Sequence, residues 1–224
     1  MPGFDPAQDE YAEPRRSMVE RQIRARGISS SRVLEAMMAV PRHEFVPASM
    51  RAEAYADKAI SIGEGQTISQ PYMVAAMTDA LELTGNERVL EVGTGSGYQA
   101  AVLSLLAREV LSVESHPTLA RAAQQRLERL GFTNVHVHTG DGSVGLAEAG
   151  PFDAILITAA APEVPPLLGA QLREGGRLVA PIGSHVDQEL VQVRKVNGEL
   201  RSRALFGCRF VPLVGRHGWP AGTS

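Results

Sequence analysis

Residues 88–98 read Arg-Val-Leu-Glu-Val-Gly-Thr-Gly-Ser-Gly-Tyr. Val89 to Val92 is short and mostly apolar, the pattern of a strand buried on both faces of a parallel sheet. Gly93, Gly95 and Gly97 follow at once, and Ala100 to Leu106 is apolar enough for a helix packed on that sheet. The order strand, glycine turn, helix sets the free N–H groups of a helix N-terminus beside a backbone that a ligand can approach closely.

Three nucleotide-type readings compete for this turn. A phosphate loop of the Walker type needs a terminal Gly-Lys-Ser/Thr, and that lysine is missing. A dinucleotide fingerprint needs G-x-G-x-x-G, whereas Tyr98 follows Gly97 directly. The third reading, Glu-x-Gly-x-Gly-x-Gly from Glu91 to Gly97, resembles an S-adenosylmethionine site. That ligand carries an amino acid, a ribose and a sulfonium and no phosphate, so an acidic residue beside the glycines suits its cationic groups. The bland alternative is a glycine turn with no ligand.

Composition narrows the class. The 224 residues can hold one large α/β domain, and 44% apolar content is ample for a core. A net charge of −3 argues against a general nucleic-acid binder. Cys208 is the only cysteine, which excludes an intramolecular disulfide and a cysteine-based metal cluster. No run approaches 18 apolar residues, and Met-Pro-Gly-Phe-Asp lacks the basic and apolar regions of a signal peptide. A cytoplasmic enzyme, away from membranes and working as a monomer, is expected.

The sequence reads as an irregular tail (1–14) and one domain (15–224). Within it, 15–83 form an N-terminal helical cap over the substrate, 84–187 the core, and 188–215 the C-terminal strands. Met18 to Ile23 predicts a short helix ending at Gly27, and Ser30 or Ser31 caps a second over Val33 to Val40. Residues 60–65 make a loop or short strand. Ser69 or Gln70 then stands as the N-cap of a helix that has Pro71 in its first turn and Met73, Val74, Met77 and Leu81 on its apolar face. Ser69 either merely caps that helix or offers its hydroxyl to a carboxylate at the positive helix end.

Past the glycine turn, Glu109 to Glu114 is the second core strand. Glu114 stands at its carboxyl end, 17 residues beyond Gly97, where an acid can accept from both ribose hydroxyls. Leu119 to Leu130 is an amphipathic helix with Arg121, Arg126 and Arg129 outward. Val135 to Thr139 is the third strand, followed by Gly140-Asp141-Gly142, a turn suited to an adenine edge. His136 and His138 share a face of that strand, but nothing nearby completes a metal set. Asp153 to Thr158 should lie beside the first core strand. Leu167 to Leu172 is helical, and Gly175-Gly176 breaks to a strand over Arg177 to Ala180. Asn197-Gly198 between two apolar runs signals a tight antiparallel hairpin at the end of the sheet.

With these pieces placed, the chain resembles the protein-L-isoaspartate O-methyltransferase family, from about Met18 to Gly215. The specific signals are Val40-Pro-Arg-His-Glu-Phe-Val-Pro47, Ile62 to Met73, Gly140-Asp-Gly142, Pro151-Phe-Asp-Ala-Ile155 with Thr158-Ala-Ala160, and Arg209-Phe-Val-Pro-Leu213. The fold implied is a Rossmann-like class I methyltransferase: a mostly parallel, doubly wound sheet with C-terminal antiparallel strands and an N-terminal helical addition. The implied reaction moves a methyl group from S-adenosylmethionine to the free α-carboxylate of an L-isoaspartyl residue in a damaged protein or peptide, leaving S-adenosylhomocysteine. The ester then collapses to a succinimide, whose hydrolysis restores some aspartate.

By the same resemblance Ser69 sits at the acceptor carboxylate as the catalytic residue. Gln66, Thr67, Ile68, Glu91, Gly93, Thr94, Gly95, Ser96, Gly97, Glu114, Ser115, Gly140, Asp141 and Gly142 bind the donor. Ile62, Gly63, Thr67, Ser69, Pro71, Tyr72 and Val214 bind the substrate, and no metal takes part. A carboxylate with a pKa near ~3.5 is already ionised at pH 7, so no general base is needed. A small-molecule methyltransferase is the main rival: it would share the glycine loop and Glu114 but would not need Thr67-Ile68-Ser69. A regulator that binds the donor without turnover, and an RNA methyltransferase, are further rivals.

Overall fold

The computed structural model describes residues 10–220 and Gly222. Residues 1–9 of the expected tail lie outside the described residues, and the irregular stretch does not extend to residue 14. Helix α1 (Ala12–Ser17) already runs there, and Tyr11 stacks on His43 with ring centroids 4.1 Å apart. A polar composition hid this anchor. The chain winds on through a π-helical stretch, Met18–Ile23, and a 3-10 turn, Arg24–Arg26, and stops at Gly27 with φ 99°. In α2 (Ser31–Ala39) the N-cap is Ser30, whose hydroxyl accepts from the Val33 N–H.

Strands β1 (Ile60–Gly63) and β2 (Gln66–Ile68) pair as a small hairpin through Glu64 and Gly65, both at positive φ. Helix α3 (Pro71–Ala80) starts after Gln70, whose side chain makes no cap bond. The Ser69 hydroxyl is therefore not used as a helix cap.

The core follows as β3 (Arg88–Val92), α4 (Tyr98–Ser104), β4 (Glu109–Glu114), α5 (Pro117–Arg129), β5 (Val135–Thr139), β6 (Phe152–Ile157), α6 (Pro166–Gln171), β7 (Leu172–Gly183), β8 (Gln188–Val196) and β9 (Glu199–Cys208). The strands form one sheet in the order β5-β4-β3-β6-β7-β8-β9. The pairs from β5 through β7 are parallel, and β7–β8 and β8–β9 are antiparallel. Strand order reverses between β3 and β6, which puts a crevice at their carboxyl ends.

Alternation along the strands feeds two apolar layers. Val89, Val110, Ala154 and Leu156 face the side that carries Met18, Ile23, Met37 and Met77 from the N-terminal helices. Leu90, Leu111, Ile155 and Leu178 face the other, with Phe152 and Leu168. Each fully buried large side chain contributes roughly 1.5–3 kcal/mol, so the N-terminal helices are held as firmly as the core helices.

Three expectations need correction. The strand expected at Arg177 begins at Leu172, and the register jumps between Phe152–Leu172 and Ala154–Arg177, so residues 173–176 bulge rather than break the strand. The Glu174 carboxylate in that bulge accepts the N–H groups of Asn197 and Gly198, both at positive φ in the hairpin turn. The third correction is Arg126, which is not outward but half-buried and donates to the Ser96 carbonyl at 2.8 Å.

Met37 is fully buried where α2 meets α4, its sulfur 3.9 Å from the Tyr98 hydroxyl. Met37→Ala should destabilise the protein by about 2–5 kcal/mol, read by urea unfolding. A loss below about 0.5 kcal/mol would show that the cap is not packed as part of the core.

Candidate functional site

The cleft opens where β3, β4 and β6 end. Parallel register sets Val92 opposite Val113 and Ile157, so the three strands finish level. Beyond Val92 the turn curls with Gly93, Gly95 and Gly97 at φ of 98°, 52° and 86°. At Gly93 a side chain is also sterically excluded: an added Cβ would collide with the Thr158 hydroxyl, which donates to the Gly93 carbonyl at 2.7 Å. The turn is pinned to β4 twice, by the Gly93 N–H to the Val113 carbonyl and by the Gly95 N–H to the Glu114 carboxylate, both 2.8 Å.

Among the expected donor residues, Gln66, Thr67, Ile68, Gly93, Thr94, Gly95, Ser96, Glu114, Ser115 and Gly142 line this cleft. Glu114 is only 4% exposed. One of its oxygens accepts from Gly95 and the other from the His116 N–H at 3.0 Å. The oxygen bonded to Gly95 keeps a second lone pair for an incoming hydroxyl, whereas the other is also approached by the His116 ring Nδ1 at 3.1 Å and the Ser115 hydroxyl at 3.4 Å. Gly142 lets the next loop press against β3, since a Cβ there would come 2.5 Å from a Val92 methyl.

Other expected residues stand elsewhere. Gly97 is the N-cap of α4 and packs on Ala123 and Leu127 of α5. Gly140 and Asp141 are not among the residues on the cleft wall, and the Asp141 carboxylate is bonded within the chain. That carboxylate accepts from the Ser143 N–H and hydroxyl and from the Arg216 N–H, and so ties down the C-terminal segment. Burial works to raise the Asp141 carboxyl, but these donors hold it below its ordinary value.

Glu91 is the largest departure. It is fully buried beneath the glycine turn rather than facing the cleft. Its carboxyl accepts from the Ser112 hydroxyl, which lies 2.6 Å from the Thr94 hydroxyl, and its second oxygen has no partner among the described residues. Burial pushes its pKa up to about 8; the Ser112 bond opposes this and the nearby Glu114 charge adds to it. Its link to the cleft therefore runs through Ser112 and Thr94.

Of the expected substrate residues, Thr67, Ser69 and Val214 line the cleft. Ile62 lies behind Gly95, within 3.4 Å of where a Cβ would stand. Gly63 is in the β1–β2 hairpin and Pro71 is buried in the first turn of α3. Tyr72 lines a second hollow with Phe206, Arg209 and Phe210. The two hollows share Thr67, Ser69, Thr158 and Val211, so Ser69 stands on their common edge. Thr158, Val211 and Leu213 stand within the family signals but received no site role from sequence; they reach the cleft by long-range bridges such as the Leu213 N–H to the Ala160 carbonyl at 2.7 Å.

Arg42 was also missed. It is 0% exposed and donates to the carbonyls of Ala54 at 2.7 Å and Ser69 at 2.8 Å, with its guanidinium 4.8 Å from the Tyr98 ring centre. Burial lowers its pKa, and Tyr98 acts against that.

A sequence profile of the protein-L-isoaspartate(D-aspartate) O-methyltransferase family matches residues 13–218. The chain belongs to this family. It is 54% identical to the protein-L-isoaspartate O-methyltransferase of Geobacter metallireducens over 92% of this chain and 95% of that one. It is 52% identical to that of Methanoculleus marisnigri over 94% and 96%. A solved protein-L-isoaspartate O-methyltransferase superposes with a TM-score of 0.81 at 32% identity, covering 91% of this chain and 67% of that one. A Plasmodium falciparum structure described as the same enzyme, in complex with S-adenosyl-L-homocysteine, superposes with a TM-score of 0.76 at 27% identity over 89% and 98%. The family's donor fits this cleft, which combines a glycine floor without side chains and a fixed carboxylate whose Gly95-bonded oxygen keeps a lone pair.

The raised Glu91 carboxyl gives a pH signature. Its folded pKa of about 8 exceeds its unfolded value of 4.5, so the unfolded state holds fewer protons between those values and stability falls with pH there. Glu91→Gln should therefore gain stability over the parent between pH 5 and pH 8, measured by urea unfolding. Parallel pH profiles would mean that Glu91 is ionised in the fold.

Proposed function

We propose that the two hollows meeting at Ser69 carry methyl transfer, with the donor on the glycine side and the acceptor carboxylate on the Tyr72 side. As a member of its family the chain is an S-adenosylmethionine-dependent protein-L-isoaspartate O-methyltransferase that initiates repair of isoaspartyl residues in damaged proteins and peptides. The observation that carries the site assignment is the shared edge, Thr67, Ser69, Thr158 and Val211.

S-adenosylmethionine supplies, when bound, an electrophilic methyl carbon on a sulfonium that leaves as a neutral thioether. Gly93 and Gly95 floor its site and Glu114 receives its ribose. Ser69 donates its hydroxyl to the acceptor carboxylate. That hydroxyl makes no hydrogen bond among the described residues and is free to do so. The carboxylate arrives ionised, so the chain has no proton to move. Its task is to hold oxygen in line with the methyl carbon, and such alignment is worth roughly 7–11 kcal/mol. Val74, Val92 and Leu213 on the walls keep the cleft apolar between the polar anchors, which reduces the solvation that favours separated charges.

A monomeric working unit is part of this reading. Among the described residues no helix is long and apolar enough to cross a membrane. A cytoplasmic setting and the absence of a nucleic-acid partner rest on the composition, net charge −3 and a single cysteine.

Transfer of a labelled methyl group to a peptide with one L-isoaspartyl residue, against its ordinary aspartyl twin, tests the reading. Label should enter only the isoaspartyl peptide; equal labelling of both would overturn it. Ser69→Ala should lower kcat/KM for that peptide by roughly 10- to 150-fold, the equivalent of losing a charged hydrogen bond of about 1.5–3 kcal/mol. An unchanged value would remove Ser69 from the site. Glu114→Ala should raise KM for the donor while KM for the peptide stays unchanged, and the opposite pattern would misplace the donor.

A further inference from the structure

We propose that Arg42 is a positioning residue that gives the acceptor carboxylate a buried counter-charge, acting through the Ser69 peptide unit. The inference rests on the placement of the acceptor at Ser69 and goes one layer behind it. Arg42 is fully buried, yet no carboxylate pairs with it among the described residues. Its neighbour Glu44 is committed elsewhere, to Arg51 at 3.2 Å and Arg129 at 2.7 Å. The Nη1 nitrogen of Arg42 has no hydrogen-bond partner among the described residues. A buried cation is ordinarily paired, because removing it from water is costly and only a nearby anion repays that cost. Arginine keeps its charge under these conditions.

The guanidinium is satisfied only by neutral oxygens. The Ala54 carbonyl takes its Nε–H, the Ser69 carbonyl takes Nη2–H, and the Tyr98 ring lies alongside. Ser69 lies on the edge shared by the two hollows, so the uncompensated charge, bonded to its carbonyl, stands directly behind the edge where the acceptor is placed. The bond to the Ser69 carbonyl also fixes a peptide plane. In a planar trans peptide the Gln70 N–H must point the opposite way, and it has no partner among the described residues. Arg42 thereby orients the Ser69 turn and polarises it in the sense that favours an anion. The missing anion is supplied by the substrate.

The test uses two β-linked aspartyl peptides that differ only in an α-carboxylate or an α-carboxamide. Their dissociation constants are measured by calorimetry on enzyme saturated with S-adenosylhomocysteine. The parent should prefer the carboxylate. Arg42→Gln should reduce that preference by about tenfold, or about 1.4 kcal/mol, while Arg42→Lys, which keeps the charge, should hold it within about threefold. If Arg42→Gln weakens both peptides equally, the residue is only structural and the proposal falls. Where the glutamine variant does not fold, the lysine variant decides, since a folded lysine variant without the preference would overturn it.

Salt provides a check on the unaltered enzyme. A buried charge is screened little, so the preference should change less than about threefold between about 50 and 500 mM NaCl; a steep fall would place its origin on the surface. A parent enzyme that has no preference would overturn the acceptor site itself along with Arg42, whereas a parent preference that survives in Arg42→Gln overturns Arg42 alone.

Discussion

The hydrogen bond from the Gly95 N–H to the Glu114 carboxylate, at 2.8 Å, joins the two strands that define the cleft. It forms because β3 and β4 run parallel in a register that ends both at the same level. A slip of one residue would turn Glu114 to the other face of the sheet. The glycine turn would then lose this side-chain anchor from β4, and the proposed donor site would lose its acid. The same bond uses one lone pair of one oxygen and leaves that oxygen a second one at the cleft wall, while the other oxygen is held by His116. A backbone contact thus becomes a recognition group.

The acceptor half depends on a different set of contacts. The N-terminal helices pack into the same apolar layer as Val89 and Val110, and they carry Arg42 to the back of the Ser69 turn. The C-terminal strands bring Val211 and Leu213 to the opposite wall, and the Asp141 carboxylate holds the following segment through Arg216. Three distant parts of the chain therefore meet at one residue on the edge of two hollows. Fold stability and the proposed acceptor placement share the same buried contacts.

Much of this was legible in the sequence. A short apolar run before three alternate glycines reads as a strand entering a tight turn, and Asn197-Gly198 signals a hairpin that β8 and β9 obey. The fold class and the place of Gly93 to Ser96 on the cleft wall followed from local pattern. What stayed hidden was non-local. Glu91 sits in the expected strand, but a period of two does not say which neighbour a buried carboxyl will meet, and Ser112 lies on the next strand. Asp141 reads as a turn acid until Arg216, 75 residues later, claims it. Arg42 looks like any charged residue in a connecting loop, and only the packed structure shows it at zero exposure.

The account's central claim is spatial: donor and acceptor occupy two hollows that touch at Ser69. A crystal structure of the enzyme with S-adenosylhomocysteine and an isoaspartyl peptide measures this directly. The account predicts both ribose hydroxyls and the Glu114 carboxylate within about 3 Å of each other, and the peptide α-carboxylate within about 3 Å of the Ser69 hydroxyl. A peptide seated away from Ser69, or a nucleoside that leaves Glu114 untouched, would contradict it.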